Sequence, residues 1–106
     1  MLRKLFVAIA LATAAINAAP QDAQPRLPQT VVMYATSWCP YCAKARAYFA
    51  RTGTPYVEHD IERSAAAKME FKRLGGRGVP LILVGKDKLS GFNELAFESM
   101  LARAER

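Results

Sequence analysis

The chain has 106 residues and a net charge of +6 at pH 7, so it is long enough for one small domain and no more. Its basic residues are spread over several segments, and no charge block, repeat or low-complexity tract is present. A nucleic-acid-binding surface would gather basic residues on one element, with aromatic or polar readers between them. The composition therefore excludes a nucleic-acid partner and is typical of an ordinary globular domain.

The N-terminal segment, residues 1–19, has the pattern of a signal peptide. Arg3 and Lys4 form a short positive region, an apolar run follows, and Ala18 and Ala19 supply small residues for cleavage. The run is shorter than the roughly 20 apolar residues that span a bilayer, so we expect cleavage and no stable membrane insertion. The residue three positions before either cut is not small, and an uncleaved anchor stays open. The sequence thus predicts an exported protein, with the bacterial periplasm as the expected compartment.

A leader and one α/β domain are predicted after the signal peptide. Residues 20–29 carry three prolines among polar residues, which favours an extended leader, and the domain covers residues 30–106. Strands are predicted over residues 30–34, 56–60, 80–84 and 88–90, with a turn over 85–87. Helices are predicted over residues 40–51, from a Ser64 cap to residue 74, and from an Asn93 cap through Ala104. The order β-α-β-α-β-β-α predicts a parallel pair extended by a hairpin, with helices on both faces.

Two cysteines, Cys39 and Cys42, are separated by Pro-Tyr at the junction of the first strand and the first helix. At a helix N-terminus, unpaired amide hydrogens and the helix dipole favour a thiolate. Because the thiolate is the attacking species in disulfide exchange, Cys39 is the candidate nucleophile. Cys42 lies one helical turn later, on the inner face that Ala45 and Phe49 share. We expect Cys42 to stay protonated and poorly accessible until it attacks the mixed disulfide.

Three other interpretations of the two cysteines are weaker. A structural disulfide across two intervening residues would constrain very little chain. A zinc site needs four ligands, whereas the chain offers two cysteines and one histidine, so no metal site is predicted. A chance pairing of inert cysteines stays open, but the strand–cysteine–helix context favours a redox motif.

Three sequence blocks occur in an order and at a spacing that make them much more specific than one Cys-x-x-Cys motif. They are Trp38-Cys39-Pro40-Tyr41-Cys42, Gly78-Val79-Pro80 and Ser90-Gly91-Phe92-Asn93-Glu94-Leu95. Together they resemble a glutaredoxin, within the thioredoxin-fold superfamily, and the resemblance covers residues 30–101. It implies a thioredoxin-like (glutaredoxin) α/β fold, with a four-stranded mixed sheet and helices on both faces.

The resemblance also implies roles for residues around the cysteines. Pro80 would be a cis proline that faces the two thiols, and Val79 would contact the cysteinyl part of glutathione through its backbone. Arg77 would meet a glutathione carboxylate, and Tyr41 would shape the edge of the site.

In glutaredoxins the third block holds the γ-glutamyl carboxylate of glutathione at the backbone amides of a helix start. Gly91, Asn93 and Glu94 occupy the matching positions here. The chain departs from the common pattern at Thr36, where many glutaredoxins have lysine, and at Ser90, where a Gly-Gly pair is usual. An acidic pair of the family is Asn-Glu here. The Ser-Gly-Phe run is similar to that of redoxins that take electrons from thioredoxin reductase.

The sequence predicts a monomeric, glutathione-linked thiol–disulfide oxidoreductase with no bound cofactor. Its expected partners are glutathione, as co-substrate, and proteins that carry disulfides or are glutathionylated. Two alternatives stay open: a glutathione-independent redoxin fed by thioredoxin reductase or a membrane donor, and a dimer that bridges an iron–sulfur cluster through Cys39 and glutathione. A non-catalytic adaptor with the same fold is a further alternative.

Overall fold

The computed structural model describes residues 30–104. The predicted signal peptide, the whole of the predicted leader and the last two residues lie outside the described residues. The elements follow the predicted order. They are β1 (Val31–Ala35), α1 (Pro40–Thr52), β2 (Tyr56–Asp60), α2 (Ala65–Arg73), β3 (Leu81–Val84), β4 (Asp87–Ser90) and α3 (Glu94–Ala104).

Helix α1 begins and ends at residues that favour helix termini. The Cys39 sulfur accepts a hydrogen bond from the backbone N–H of Cys42, and Pro40 stands in the first turn, where its missing N–H costs nothing. At the other end Gly53 adopts a left-handed φ of 66° and donates its N–H to carbonyls of the last turn, as a helix-ending glycine typically does. The nucleophile candidate is therefore part of the cap that starts the helix.

The four strands form one mixed sheet in the order β2-β1-β3-β4. Strand β1 is parallel to β2 and antiparallel to β3, and β3 and β4 form a hairpin, which confirms the predicted fold class. Several predicted boundaries were wrong by one residue. Strand β1 covers residues 31–35 instead of 30–34, α1 ends at Thr52 instead of residue 51, and α2 ends at Arg73 instead of residue 74. Pro80 precedes β3, because it has no N–H for the strand ladder. Asp87 belongs to β4, because it pairs with Val84 across a turn of two residues.

Helices α1 and α3 cover one face of the sheet, and α2 covers the other. Successive strand residues point to opposite faces, so Met33 and Tyr34 of β1 enter different cores. Met33 packs with Phe49 of α1 and Phe97 of α3. Tyr34 packs with Phe71 of α2, its ring centroid 6.1 Å from that of Phe71. The sheet is thus anchored on both sides beneath the cysteines.

Strand pairing brings the three sequence blocks to one edge of the sheet. Tyr34 of β1 pairs with Leu81 of β3, and Leu81 pairs with Ser90 of β4. The loop after β1, the proline before β3 and the turn after β4 therefore meet at that edge. Within residues 30–104, no helix has both the length and the apolar character needed to cross a membrane.

Candidate active site

Cys39 lies at the start of α1 with its sulfur directed at two backbone groups. Its Sγ accepts the N–H of Cys42 at 3.2 Å and donates to the carbonyl oxygen of Val79 at 3.5 Å. Donation from a helix amide stabilises negative charge on the sulfur. The residue is only 4% exposed, so reagents reach this sulfur through the adjoining cleft and not across an open surface.

Cys42 is fully buried one turn into α1, as the helical spacing predicted. Its exposed fraction is 0%, and it belongs to the core cluster that contains Met33 and Phe49. Burial and the hydrogen bond with Cys39 raise the pKa of Cys42 to about 12, while the backbone of Thr36 and the charge of Arg46 act in the opposite direction. Cys42 is therefore a protonated thiol in the reduced protein, as expected.

The Val79–Pro80 peptide bond is cis, as the resemblance implied. Pro80 is buried beside the cysteines, and its carbonyl accepts the N–H of Gly91 at 2.8 Å. Gly91 has a φ of 86°, a conformation that residues with a Cβ rarely adopt. The second and third sequence blocks are thus joined directly, and Val79 is presented on the edge next to Cys39.

Two clefts flank Val79, and Tyr41 and Val79 contribute to the walls of both. The narrow cleft has a volume of about 260 Å³ and is lined by Tyr41, Val79 and residues 89–93. The wide cleft has a volume of about 450 Å³. It is lined by Thr36, Trp38, Cys39, Pro40, Tyr41, Ile61, Glu62, Phe71, Arg77, Gly78 and Val79. Cys39 therefore opens on the wide cleft, with the narrow cleft on the far side of Val79.

The wall of the wide cleft contains a pairing that the sequence did not indicate. The Trp38 side chain is 66% exposed, yet its indole N–H donates to both carboxylate oxygens of Glu62 at 3.0 and 3.1 Å. Buried Phe71 and half-buried Ile61 supply apolar surface below this pair. No sequence signal links Trp38 to Glu62, because the contact depends on how the loop after β2 folds back over the motif.

The third block starts α3 at the outer end of the narrow cleft. Asn93 caps the helix, with its Oδ1 accepting the N–H of Ala96 at 3.0 Å. Glu94 is the first helical residue, and its carboxylate accepts a hydrogen bond from Arg51 at 2.9 Å. Both residues are exposed, and Glu94 lines a further cleft beside Tyr41. The structure places the predicted site residues on three clefts that Tyr41 borders. Arg77 and Val79 line the wide cleft with Cys39, Gly91 and Asn93 line the narrow cleft, Glu94 lines the further cleft, and Pro80 lies between Val79 and β3.

A second feature that sequence reasoning missed is an ion pair beneath the motif. Arg46 of α1 meets Glu58 of β2 in a two-pronged contact, with Nε–Oε1 at 2.9 Å and Nη2–Oε2 at 2.7 Å. The same Nη2 donates to the carbonyl oxygen of Thr36 at 2.9 Å. The available signal was the spacing of four residues between Cys42 and Arg46, which places both on one side of a helix.

Thr36 occupies the position where the family often carries lysine. It is 3% exposed, and its hydroxyl has no hydrogen-bond partner among the described residues. The wide cleft therefore has no cation at this position, and Arg77 supplies positive charge at its edge. Among residues 30–104, no cluster of three or more His, Cys, Asp or Glu side chains could hold a metal ion.

A thiol at a helix N-terminus, a second thiol one turn later and a cis proline beside them define a class of protein. The class is the thiol–disulfide oxidoreductases of thioredoxin-like fold. In this class the first thiolate attacks a disulfide, and the second thiol can resolve the mixed disulfide that forms.

The family within this class follows from comparison with known proteins. The glutaredoxin family model matches residues 31–89. A glutaredoxin from Neisseria meningitidis serogroup B is 36% identical over 69 residues, which cover 63% of this chain and 81% of that protein. The chain belongs to the glutaredoxin family.

Solved structures agree with this assignment. The solution structure of glutaredoxin from Brucella melitensis is 32% identical in sequence, with a TM-score of 0.55. The matched region covers 73% of this chain and 86% of the Brucella chain. The crystal structure of the glutaredoxin from Archaeoglobus fulgidus has 21% sequence identity and a TM-score of 0.60, and the matched region covers 74% of this chain and 97% of the Archaeoglobus chain. The latter similarity shows the fold.

Proposed function

We propose that the protein is a glutathione-linked oxidoreductase that reduces glutathione mixed disulfides and protein disulfides through Cys39 and Cys42. One observation carries the proposal: two clefts share Tyr41 and Val79, and Val79 is the residue whose carbonyl oxygen the Cys39 sulfur contacts. A tripeptide whose central cysteine reaches Cys39 would extend one arm into each cleft. Glutathione has this shape, because its cysteine lies between a γ-glutamyl group and a glycine.

The ends of the two clefts offer groups suited to the two carboxylates of glutathione. The narrow cleft leads to the start of α3, where first-turn amides have no intrahelical partner and attract an anion. Since the Asn93 side chain is engaged in capping, the backbone amide of Glu94 is the donor we assign to the γ-glutamyl carboxylate. Arg51 neutralises part of the Glu94 charge. Arg77 on the wide cleft would meet the glycine carboxylate.

The proposed reaction begins when the Cys39 thiolate attacks the glutathione sulfur of a glutathionylated protein. A bond forms between Cys39 and that sulfur, and the protein thiolate leaves with the electron pair and takes up a proton. Reduced glutathione then attacks the mixed disulfide, which releases oxidised glutathione and regenerates Cys39. When the substrate is a protein disulfide, Cys42 attacks Cys39 instead, and the product is a Cys39–Cys42 disulfide that glutathione reduces.

A glutathione-coupled reduction assay tests this function. We expect wild-type protein to turn over a glutathione mixed disulfide, and Arg77→Gln to raise KM for that substrate about three- to tenfold, since one cation of the anion site is lost. Arg73→Gln is the matched control, because Arg73 is exposed, pairs with Glu70 and lies on α2. A wild-type protein that cycles between dithiol and disulfide but never turns over with glutathione would refute the proposal.

A second candidate is a redoxin that receives electrons from a donor other than glutathione. It is favoured by the wide cleft, where the Glu62 carboxylate sits beside Trp38 and Thr36 replaces the family lysine. A carboxylate in this position repels the glycine carboxylate of glutathione, whereas it tolerates a neutral or basic peptide. Glu62→Gln separates the two candidates. If glutathione is the partner, Glu62→Gln lowers KM for glutathione substrates. If glutathione is not the partner, neither wild type nor Glu62→Gln turns over with glutathione, and the two are equally active with a thioredoxin reductase donor.

We also propose that the protein acts after export, on the basis of the N-terminal residues 1–19 alone. The compartment would then be oxidising, and in the bacterial periplasm it is kept so kinetically. The test is the mass of the protein recovered from the periplasmic fraction of an expressing bacterium. Loss of a segment ending near Ala18 or Ala19 supports export, and an intact N-terminus on protein confined to the cytoplasm contradicts it.

A further inference from the structure

The ion pair of Arg46 and Glu58 is more restrained than a surface ion pair. The side chains of Arg46 and Glu58 are 29% and 27% exposed, whereas those of Arg51 and Glu94, also paired from α1, are 60% and 54% exposed. Exposed pairs contribute little because solvent screens them and the side chains lose conformational freedom. The two-pronged geometry of Arg46 instead fixes its guanidinium in one orientation.

This guanidinium also holds the loop that leads into the motif. Nη2 of Arg46 donates to the carbonyl oxygen of Thr36 at 2.9 Å, and Thr36 connects the end of β1 to the residues before Cys39. The backbone of Thr36 faces the Cys42 thiol and favours its ionised form. Arg46 therefore contacts the same backbone residue that interacts with the Cys42 thiol.

Arg46 acts on Cys42 through its charge as well. The two residues are four positions apart on α1, so their side chains lie on one side of the helix. The positive charge of Arg46 favours the Cys42 thiolate, against burial and the neighbouring Cys39. From β2, Glu58 offsets part of that positive charge, and Tyr56 stands near the pair as a neutral phenol whose pKa burial raises.

We propose that Arg46, held by Glu58 and by the Thr36 carbonyl, is a positioning residue that sets the rate at which Cys42 resolves the mixed disulfide. The inference deepens the proposed function, because resolution is the step that reduction of a protein disulfide requires. Arg46 and Glu58 line neither the wide nor the narrow cleft, so their role would be in the resolving step and not in substrate binding.

The Cys42 thiol loses its proton to water, and the thiolate attacks the Cys39 sulfur of the mixed disulfide. A Cys42–Cys39 bond forms while the bond between Cys39 and the substrate sulfur breaks, and the substrate thiolate leaves with the electron pair and takes up a proton. Because only the thiolate attacks, the fraction of Cys42 that is ionised governs the rate at neutral pH, and Arg46 raises that fraction.

Stopped-flow reaction of the reduced, full-length protein with one equivalent of dithiobis-nitrobenzoate, a chromogenic aromatic disulfide, resolves the two steps. The first release of nitrothiobenzoate reports attack by Cys39, and the second reports resolution by Cys42. We expect Arg46→Gln to slow the second phase about tenfold and to move its pH profile to higher pH, because a group that favours the Cys42 thiolate is lost. The first phase should change by less than about twofold, since Cys39 keeps its own partners.

Three further variants control for a merely structural role. Arg46→Lys retains the charge and should restore the second phase to within about threefold of wild type. Arg73→Gln removes the exposed pair with Glu70 on α2 and should change neither phase. Glu58→Gln keeps Arg46 but removes the opposing charge, so the pH profile of its second phase should move to lower pH.

Opposite shifts in Arg46→Gln and Glu58→Gln are the signature of an electrostatic role. Equal slowing of both phases in Arg46→Gln, or pH profiles that move in the same direction in the two variants, would overturn the inference. So would a second phase that Arg46→Gln leaves unchanged. The assay contains no glutathione, so a protein that fails the glutathione-coupled assay can still confirm or refute the role of Arg46.

Discussion

Cys39 and Cys42 are three residues apart on the same helix and almost equally buried, at 4% and 0% exposure, yet their surroundings are opposite. Cys39 has backbone hydrogen-bonding groups around its sulfur and the wide cleft in front of it. Cys42 faces the apolar core beneath β1, and its pKa is raised to about 12, chiefly by burial. We propose that access and local charge, and not exposed area, make Cys39 the attacking thiol and Cys42 the resolving thiol.

The helix itself produces this difference. The N-cap position of α1 places one sulfur where unpaired amides point outward, and the next turn of the same helix carries the other sulfur into the core. We propose that the order of attack follows from this helix geometry, and the variants below test that order.

The largest effect is expected for Cys39→Ser. A serine hydroxyl stays protonated at neutral pH and does not attack disulfides, so activity with either substrate class should fall by about a thousandfold or more. Initial rates with a glutathione mixed disulfide and with a protein disulfide provide the measurement. Substantial activity in Cys39→Ser would mean that Cys42 can attack from within the core, and the contrast between the two thiols would then be wrong.

Cys42→Ser should separate the two substrate classes. Reduction of a protein disulfide needs the resolving thiol and should fall by about a hundredfold, whereas reduction of a glutathione mixed disulfide should stay within about threefold of wild type. The same two assays measure both rates. If both activities were lost together, after a circular dichroism spectrum had shown that the fold is intact, Cys42 would have a role in the first step as well.

The high pKa of Cys42 predicts a loss of stability in alkali. Above the ordinary thiol pKa of 9.0 the unfolded chain ionises this thiol while the folded protein keeps it protonated, so the free energy of unfolding falls as pH rises. Between about pH 9 and about pH 11 this contribution is roughly 2 kcal/mol. Urea unfolding of wild type and Cys42→Ala across this range measures it.

The free energy of unfolding should fall less steeply with pH in Cys42→Ala than in wild type. Some decline will remain, because burial raises the pKa of Tyr34, Tyr48 and Tyr56 in the same direction. Identical slopes for wild type and Cys42→Ala would show that Cys42 ionises as easily in the folded protein as in the unfolded chain.

The smallest effects are expected from removal of the Asn93 cap, which starts α3 at the end of the narrow cleft. Asn93→Ala removes the cap of α3, and Ser64→Ala removes the matching cap of α2, which accepts the N–H of Ala67 at 3.0 Å. Each should cost about 1 kcal/mol of stability. Only Asn93→Ala should also raise KM for glutathione substrates, by about threefold, because only α3 borders the narrow cleft. Equal KM values in the two variants would remove the start of α3 from the binding site.

Much of the fold followed from local sequence signals. Hydrophobic periodicity and helix-terminating residues predicted all seven elements in order. Pro40 and Gly53 mark the ends of α1, and Ser64 and Asn93 cap the other two helices. Strand edges were less certain, since the end of a strand depends on its partner. Asp87 was assigned to a turn because the sequence does not show that it pairs with Val84.

The candidate site likewise contains residues that the local sequence predicts and residues that only the tertiary structure shows. Cys39 and Cys42 were identified from the motif alone, because the relevant contacts lie within one helical turn. The residues that connect distant segments were missed: Glu62 reaches Trp38 across 24 positions, and Glu58 reaches Arg46 across 12. Charged residues on strands and loops are common, and only tertiary structure distinguishes the two that touch the site.

Exchange with oxidised glutathione shows directly which of the two cysteine sulfurs attacks first. Reduced wild type and Cys42→Ser are each mixed with oxidised glutathione, quenched with acid and examined by peptide mass spectrometry. We predict a stable glutathione adduct on Cys39 in Cys42→Ser. In wild type we predict an adduct on Cys39 that gives way to a Cys39–Cys42 disulfide as glutathione is released. An adduct on Cys42 of the wild-type protein, or no adduct on Cys39 in the variant, would contradict the assignment of the attacking and resolving thiols.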